Sequence, residues 1–147
     1  MEWVLAHFDE LGGALLYEIL KLRVDVFVVE QNCPYPEVDG KDPHCWHLYQ
    51  KIDGEIAAYA RLLPPGISYK EASIGRVIVN EKFRGMRLGD SLIETAIQEA
   101  KKLFPGENIK IGAQARLHGF YSRAGFKSVS VPYDEDGILH IDMLLAH

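Results

Sequence analysis

Ile74-Gly-Arg-Val-Ile-Val-Asn-Glu-Lys-Phe-Arg-Gly-Met-Arg-Leu-Gly-Asp-Ser-Leu-Ile93 reads as a strand, a turn and a helix in succession. Ile74 to Val79 is short and rich in β-branched residues, the pattern of a buried strand. Asn80 to Lys82 breaks that pattern. Arg84, Gly85, Arg87 and Gly89 then crowd into six residues. Beyond them Leu88, Leu92, Ile93, Ala96, Ile97, Ala100 and Leu103 recur at helical spacing. Glycine lets a backbone come close to a ligand. The first turn of a helix leaves unpaired N–H groups that attract anions. Lys82, Arg84 and Arg87 add positive charge at the same place. The stretch is therefore a phosphate cradle. It is not a P-loop, because Asp90-Ser91 follows Gly89 where that loop needs a Lys, and it has no Gly-x-Gly-x-x-Gly dinucleotide fingerprint.

The rest of the chain says what kind of molecule carries the cradle. Its 147 residues predict one domain, 1–147, with room for a core. The formal net charge of −5 argues against nucleic acid as a partner, since phosphates repel an acidic chain. Met1-Glu2-Trp3 begins no basic leader, and no apolar run reaches the roughly 20 residues that span a bilayer. We therefore expect a cytoplasmic protein without a membrane partner, with Cys33 and Cys45 as reduced thiols.

In chain order, Trp3 to Phe8 predicts a first strand and Leu11 to about Val29 one or two helices. Glu30 to His44, with Pro34, Pro36, Asp39-Gly40 and Pro43, predicts a long ordered loop, a type that usually carries function in compact domains. Cys45 to Lys51 and Glu55 to Leu63 read as a hairpin about Asp53-Gly54. After the central strand, turn and helix come a strand over Ile109 to Ala113 and a short helix over Arg116 to Ala124, stopped by Gly125. Phe126 to Val131 and Ile138 to Leu145 read as a closing hairpin around Asp134 to Gly137. This order predicts an α/β fold: one mixed, mostly antiparallel central sheet flanked by helices. Its one parallel crossover should lie between the strands before and after the long helix.

Several of these stretches together resemble a known family. Arg84-Gly-Met-Arg-Leu-Gly89 resembles the Arg/Gln-x-x-Gly-x-Gly/Ala pyrophosphate loop of the GNAT N-acetyltransferases, with Arg87 where that family usually has its first glycine. Tyr121-Ser-Arg-Ala-Gly125-Phe126 matches the family's Tyr-x-x-x-Gly-Phe segment, and Gln114 stands where many members carry Asn. The chain is similar above all to the ElaA-like branch. That likeness runs through Leu22 to Tyr35, Asp39-Gly40, Ala58-Tyr-Ala-Arg61, Ile74 to Val79, Gly112-Ala-Gln-Ala115, Glu135-Asp-Gly137 and His140-Ile141. In that branch the position of Arg87 is often basic.

The resemblance implies an acetyl-CoA-dependent N-acetyltransferase that moves an acetyl group to a primary amine, the other partner. It leaves the oligomeric state open, a homodimer included. Cofactor contacts are expected from the backbone of Val77, Ile78 and Val79, from Arg84, Gly85, Met86, Arg87, Leu88, Gly89 and Asp90, and from Gln114 and Tyr121. A main-chain N–H near Val77 is placed to polarise the thioester carbonyl. Tyr121 is the candidate general acid for the leaving thiolate, since a phenol of pKa about 10 keeps its proton at neutral pH. An alkylammonium must lose a proton before it can attack. Glu30 is the first candidate base, with His44, His47 and Asp39 beside it. Cys33, His44, Cys45 and His47 contain the elements of a zinc site, but their spacing is not a usual one, so no metal is expected. The rival to an enzyme is a non-catalytic acyl-CoA sensor or interaction module on the same fold.

Overall fold

The computed structural model describes residues 2–147. Strands β1 (Val4–His7), β2 (Trp46–Ile52), β3 (Glu55–Leu63) and β4 (Ser73–Val79) form one antiparallel sheet in sequence order. Strands β5 (Ile109–Gln114), β8 (Ile138–Leu145) and β6 (Lys127–Ser128) form a second, with β7 (Tyr133–Glu135) also paired to β8. Helix α1 (Gly12–Val24) runs on into a π-helical turn over Asp25–Glu30. Helices α2 (Leu88–Leu103) and α3 (His118–Arg123) follow the cradle and β5.

Three of these elements show how local chemistry sets the fold. The β2–β3 hairpin closes at Asp53-Gly54, both left-handed with φ of 51° and 77°, the conformation an Asp-Gly turn favours. Helix α2 buries Leu92, Ile93, Ala96, Ile97 and Ala100 against the sheets. Complete burial of a Leu or Ile side chain is worth about 1.5–3 kcal/mol, so this stripe anchors the helix that begins at the cradle. Helix α1 covers the opposite face of the first sheet, packing Ile19 with Ile56, Tyr59 and Ile78.

Two expectations need correction. The sheet is not continuous. Between β4 and β5 there is a single parallel bridge, Ala72 to Ile109, strengthened by the Lys110 N–H donating to the Ala72 carbonyl at 2.8 Å. The crossover does fall there, but the strands part beyond the bridge and leave two half-sheets. The closing hairpin is also more divided than its pattern suggested. Residues 134–135 belong to β7, the turn is Asp136-Gly137 with both φ positive, and β6 keeps only two paired residues.

Candidate active site

The parting of β4 and β5 makes the central cavity. A volume of about 390 Å³ lies between Gly75, Arg76 and Val77 on one side and Ile111, Gly112 and Ala113 on the other. β4 turns away because it is bulged. From Arg61 to Tyr59 on β3 the partner advances from Gly75 to Ile78, three residues against two. Arg76 takes up the extra residue with φ +51°. A bulge of this kind re-aims the strand, here at Val77.

The cradle lies past the end of β4. Asn80 caps a short 3₁₀ turn over Glu81–Phe83, and the chain reverses at Gly85, whose φ is +91° with open space where a Cβ would stand. Arg87 is the N-cap of α2 in the left-handed region, φ +59°, and makes no side-chain cap. A non-glycine residue there costs about 1–2 kcal/mol, which gives a physical reason for the glycine usual at this position. The first-turn N–H groups of α2 thus receive no side-chain cap from Arg87, a geometry that suits an anion. Gly89 packs on Phe120 and Val79 at distances an added Cβ would tolerate, 3.5 Å and more. Met86 is exposed, Leu88 half-buried, and Asp90 is exposed 3.9 Å from Arg123. Among the strand residues, the Ile78 side chain points away, into the core under α1, and Ile78 is outside the cavity lining.

Arg84 has a partner that its sequence context did not show. Its Nη1 and Nη2 donate to the two Glu30 carboxylate oxygens at 2.8 and 3.0 Å, and its Nε donates to the Val79 carbonyl at 3.0 Å. Hydrogen bonds from Arg84 hold the Glu30 carboxyl below its ordinary range. Glu30 also lies outside the residues that line the central cavity. Position and basicity both count against it as the base.

Tyr121 does line the cavity, packed edge-on against Phe120 and Phe126. Burial pushes its phenol up to about 12, with Arg116 opposing weakly. Such a phenol stays protonated at neutral pH. Tyr121 is therefore suited to donate a hydrogen bond to sulfur while keeping its proton. Gln114 lines the same cavity with its amide engaged at both ends, donating to Gln31 at 3.1 Å and accepting from Arg116 at 3.1 Å.

The remaining base candidates do not fit the role either. His47 is fully buried. Its Nε2–H donates to the Asp42 carbonyl at 3.3 Å and its Nδ1 accepts from the Tyr59 hydroxyl at 2.7 Å. Burial pushes its pKa down to about 4, so it is neutral. His44 is exposed and outside the cavity lining. Burial would raise the Asp39 carboxyl, but Arg61 and Arg76 hold it well below the carboxylate range. Cys33 donates to the Asp136 carbonyl and Cys45 to the Lys41 carbonyl, and burial pushes the Cys45 thiol up to about 11. Among the described residues, no three His, Cys, Asp or Glu side chains gather to hold a metal.

Sequence reasoning missed a network of six charges under the long loop. Arg23, buried in α1, donates to Glu37 at 3.1 Å and to Asp42. Arg61 on β3 donates to Asp39 at 2.9 and 2.8 Å and to Asp42 at 3.0 Å. Arg76, the bulge residue, reaches Glu37 and Asp39. The three cations balance the three carboxylates. They tie residues 37–42 to the bulge, and through them Cys33, Tyr35 and Asp39 come to line the cavity. The available signal was an arginine at an apolar position: Arg61 among Ala58, Ala60, Leu62 and Leu63, and Arg23 one helical turn past Ile19.

A sheet split at a bulged strand, with an uncapped helix start and a buried tyrosine at the split, defines an acyltransferase fold. The acetyltransferase (GNAT) domain model matches residues 21–146, and the chain belongs to this family, in its ElaA-like branch. It is similar to protein ElaA of Escherichia coli, 41% identical over 145 residues that cover 97% of this chain and 95% of that one. A UPF0039 protein of Synechocystis is likewise 41% identical, over 98% of this chain and 94% of its own. The crystal structure of an acyl-CoA N-acyltransferase from Pseudomonas aeruginosa superposes with a TM-score of 0.94 at 43% identity, over 99% of both chains. Among the described residues no helix is long and apolar enough to cross a membrane.

Proposed function

We propose that this protein is an acetyl-CoA-dependent N-acetyltransferase acting on a primary amine by direct attack. The observation that carries the reading is the cavity at the β4–β5 split, where the bulged backbone at Val77 and the buried phenol of Tyr121 face one space. The family and the acyl-CoA N-acyltransferase of P. aeruginosa support a coenzyme A thioester as donor. The thioester supplies an activated carbonyl. The first turn of α2, with Arg87 and Gly89, would hold the pyrophosphate, and Arg84 would join them on leaving Glu30. The backbone from Val77 to Val79 would pair with the pantetheine arm as a neighbouring strand does. Tyr121 would donate its hydrogen bond to the sulfur as charge develops there. The loop 30–44 would close the acceptor side.

Tyr121→Phe tests the reading, because it keeps the ring and deletes only the donor. A hydrogen bond to a charged group is worth about 1.5–3 kcal/mol, so kcat should fall about 10- to 150-fold. Acetyl-CoA affinity by calorimetry and the melting temperature should hardly move. A single-turnover rate equal to wild type would show the tyrosine to be structural. Acetyl-CoA binding without thiol release across a panel of amines would favour a binding module instead.

A further inference from the structure

With Glu30, Asp39, His44 and His47 set aside, the proton of the incoming ammonium still needs an acceptor. We infer that His140 on β8 is the general base of this site, with Glu135 on β7 as its outlet to water; the inference rests on the acetyltransferase reading above. β8 alternates across its sheet: Ile141 and Met143 pack into the core, so His140 and Asp142 face the other way. Directly opposite His140 in register are Gln114 on β5 and Tyr133 on β7. His140 and Gln114 both line the central cavity, as does Tyr121.

The ring is held in one tautomer. Nδ1 lies 2.8 Å from the Ile138 carbonyl, which can only accept, so Nδ1 carries the hydrogen and donates it. In the neutral ring the lone pair then falls on Nε2, the position a base requires. The ring stacks on Tyr133, whose hydroxyl donates to Asp142, and this fixes its plane. The groups facing it are Glu135 and Tyr133 from β7 and Gln114 from β5. Arg116 reaches Gln114, and Cys33 reaches the carbonyl of Asp136 in the β7–β8 turn. Glu135 Oε2 is 3.6 Å from Nε2, and its side chain is 58% exposed against 12% for His140. A proton gained at Nε2 therefore has a neighbouring carboxylate that opens to solvent.

The balance closes. Nε2 takes one proton from the ammonium and Glu135 passes it to water. The freed nitrogen lone pair forms the C–N bond as the C–S bond breaks. The second amine proton leaves with sulfur as the thiol. One ammonium and one thioester give one amide, one thiol and one released proton.

The test compares wild type with His140→Gln on two acceptors, reading thiol release from acetyl-CoA. Butylamine is an ammonium at neutral pH; 2,2,2-trifluoroethylamine arrives uncharged and needs no base before attack. For butylamine kcat/KM should fall about 10²–10⁴-fold, the usual range for general base catalysis. For trifluoroethylamine it should stay within a few-fold. Equal losses on both amines, or no loss on either, would overturn the assignment. A wild-type protein that binds acetyl-CoA yet releases thiol with neither amine would instead overturn the acetyltransferase reading. Nitrogen-15 NMR of labelled histidine decides the geometry without turnover: a hydrogen on Nδ1 of His140 supports the base role, and one on Nε2 excludes it.

Discussion

Two sets of ion pairs flank the bulged strand, and they are built for opposite purposes. At the cradle, Arg84 and Glu30 form a bidentate pair with 42% and 39% of the side chains exposed. Under the loop 30–44, Arg23 meets Glu37 and Asp42 with exposures of 0%, 2% and 6%. Water screens the first pair, which is worth about 0–1 kcal/mol and can be exchanged for another anion. The second set cannot be exchanged, because any partner left alone would be a charge without solvent. One is a solvent-screened pair at the start of α2, and the other is the frame that holds the loop to the cavity.

The largest expected effect comes from breaking the frame. Arg23→Met fills similar space but leaves three carboxylates, Glu37, Asp39 and Asp42, to the two cations Arg61 and Arg76. Urea unfolding should show a loss of about 3–5 kcal/mol. A loss below about 1 kcal/mol would mean the buried network behaves like a surface pair, and the contrast would collapse. Arg61 already carries a buried Nε with no partner, so the network has little slack.

Acid should find the same weakness, and the sign can be worked out. Burial lowers His47 from 6.5 to about 4 in the folded protein. Its contribution is complete above pH 6.5 and is lost as pH falls toward 4, by about 3 kcal/mol at 1.36 kcal/mol per pKa unit. Asp39 and Asp42 are also lowered on folding, despite their burial, by Arg61 and Arg23 respectively. Their contributions persist until pH drops below the ordinary carboxylate value of about 3.9. Urea midpoints followed against pH should therefore fall in two stages, and His47→Gln should flatten the first. A wild-type stability unchanged from pH 7 to 4.5 would contradict the buried neutral imidazole.

The smallest effect sharpens the other side of the comparison. Glu30→Gln removes the charge that occupies Arg84. Stability should change by under about 1 kcal/mol. Acetyl-CoA should bind up to about fivefold more tightly at low salt, because the guanidinium no longer leaves an anion to meet the pyrophosphate. Weaker binding by calorimetry would show that Glu30 positions Arg84 rather than competing for it.

Much of this molecule is written in local sequence. The β-branched run before the cradle, the apolar stripe of α2 and the Asp53-Gly54 turn each follow from the period or backbone preference of neighbouring residues. So do the spans of β3 and α2, which the structure bears out, and the family likeness of the loop 84–89 and the Tyr121 segment. What local reading could not supply is which distant residues meet. Arg23 finds Glu37 and Asp42 across 14 and 19 positions, Arg84 finds Glu30 across 54, and Gln114 finds Gln31 across 83. The base candidates visible in the sequence lie between residues 30 and 47, whereas His140, the base we infer, sits in an ordinary strand. Its register against Gln114 and Tyr133 alone brings it to the cavity. The parting of the two half-sheets was equally hidden, since it depends on a bulge that exists only against β3. Sequence thus determined the elements and the turn that leads into α2. Tertiary structure decided the pairings, because a charge or an imidazole takes its chemistry from what the fold sets beside it and from how much water the fold leaves there.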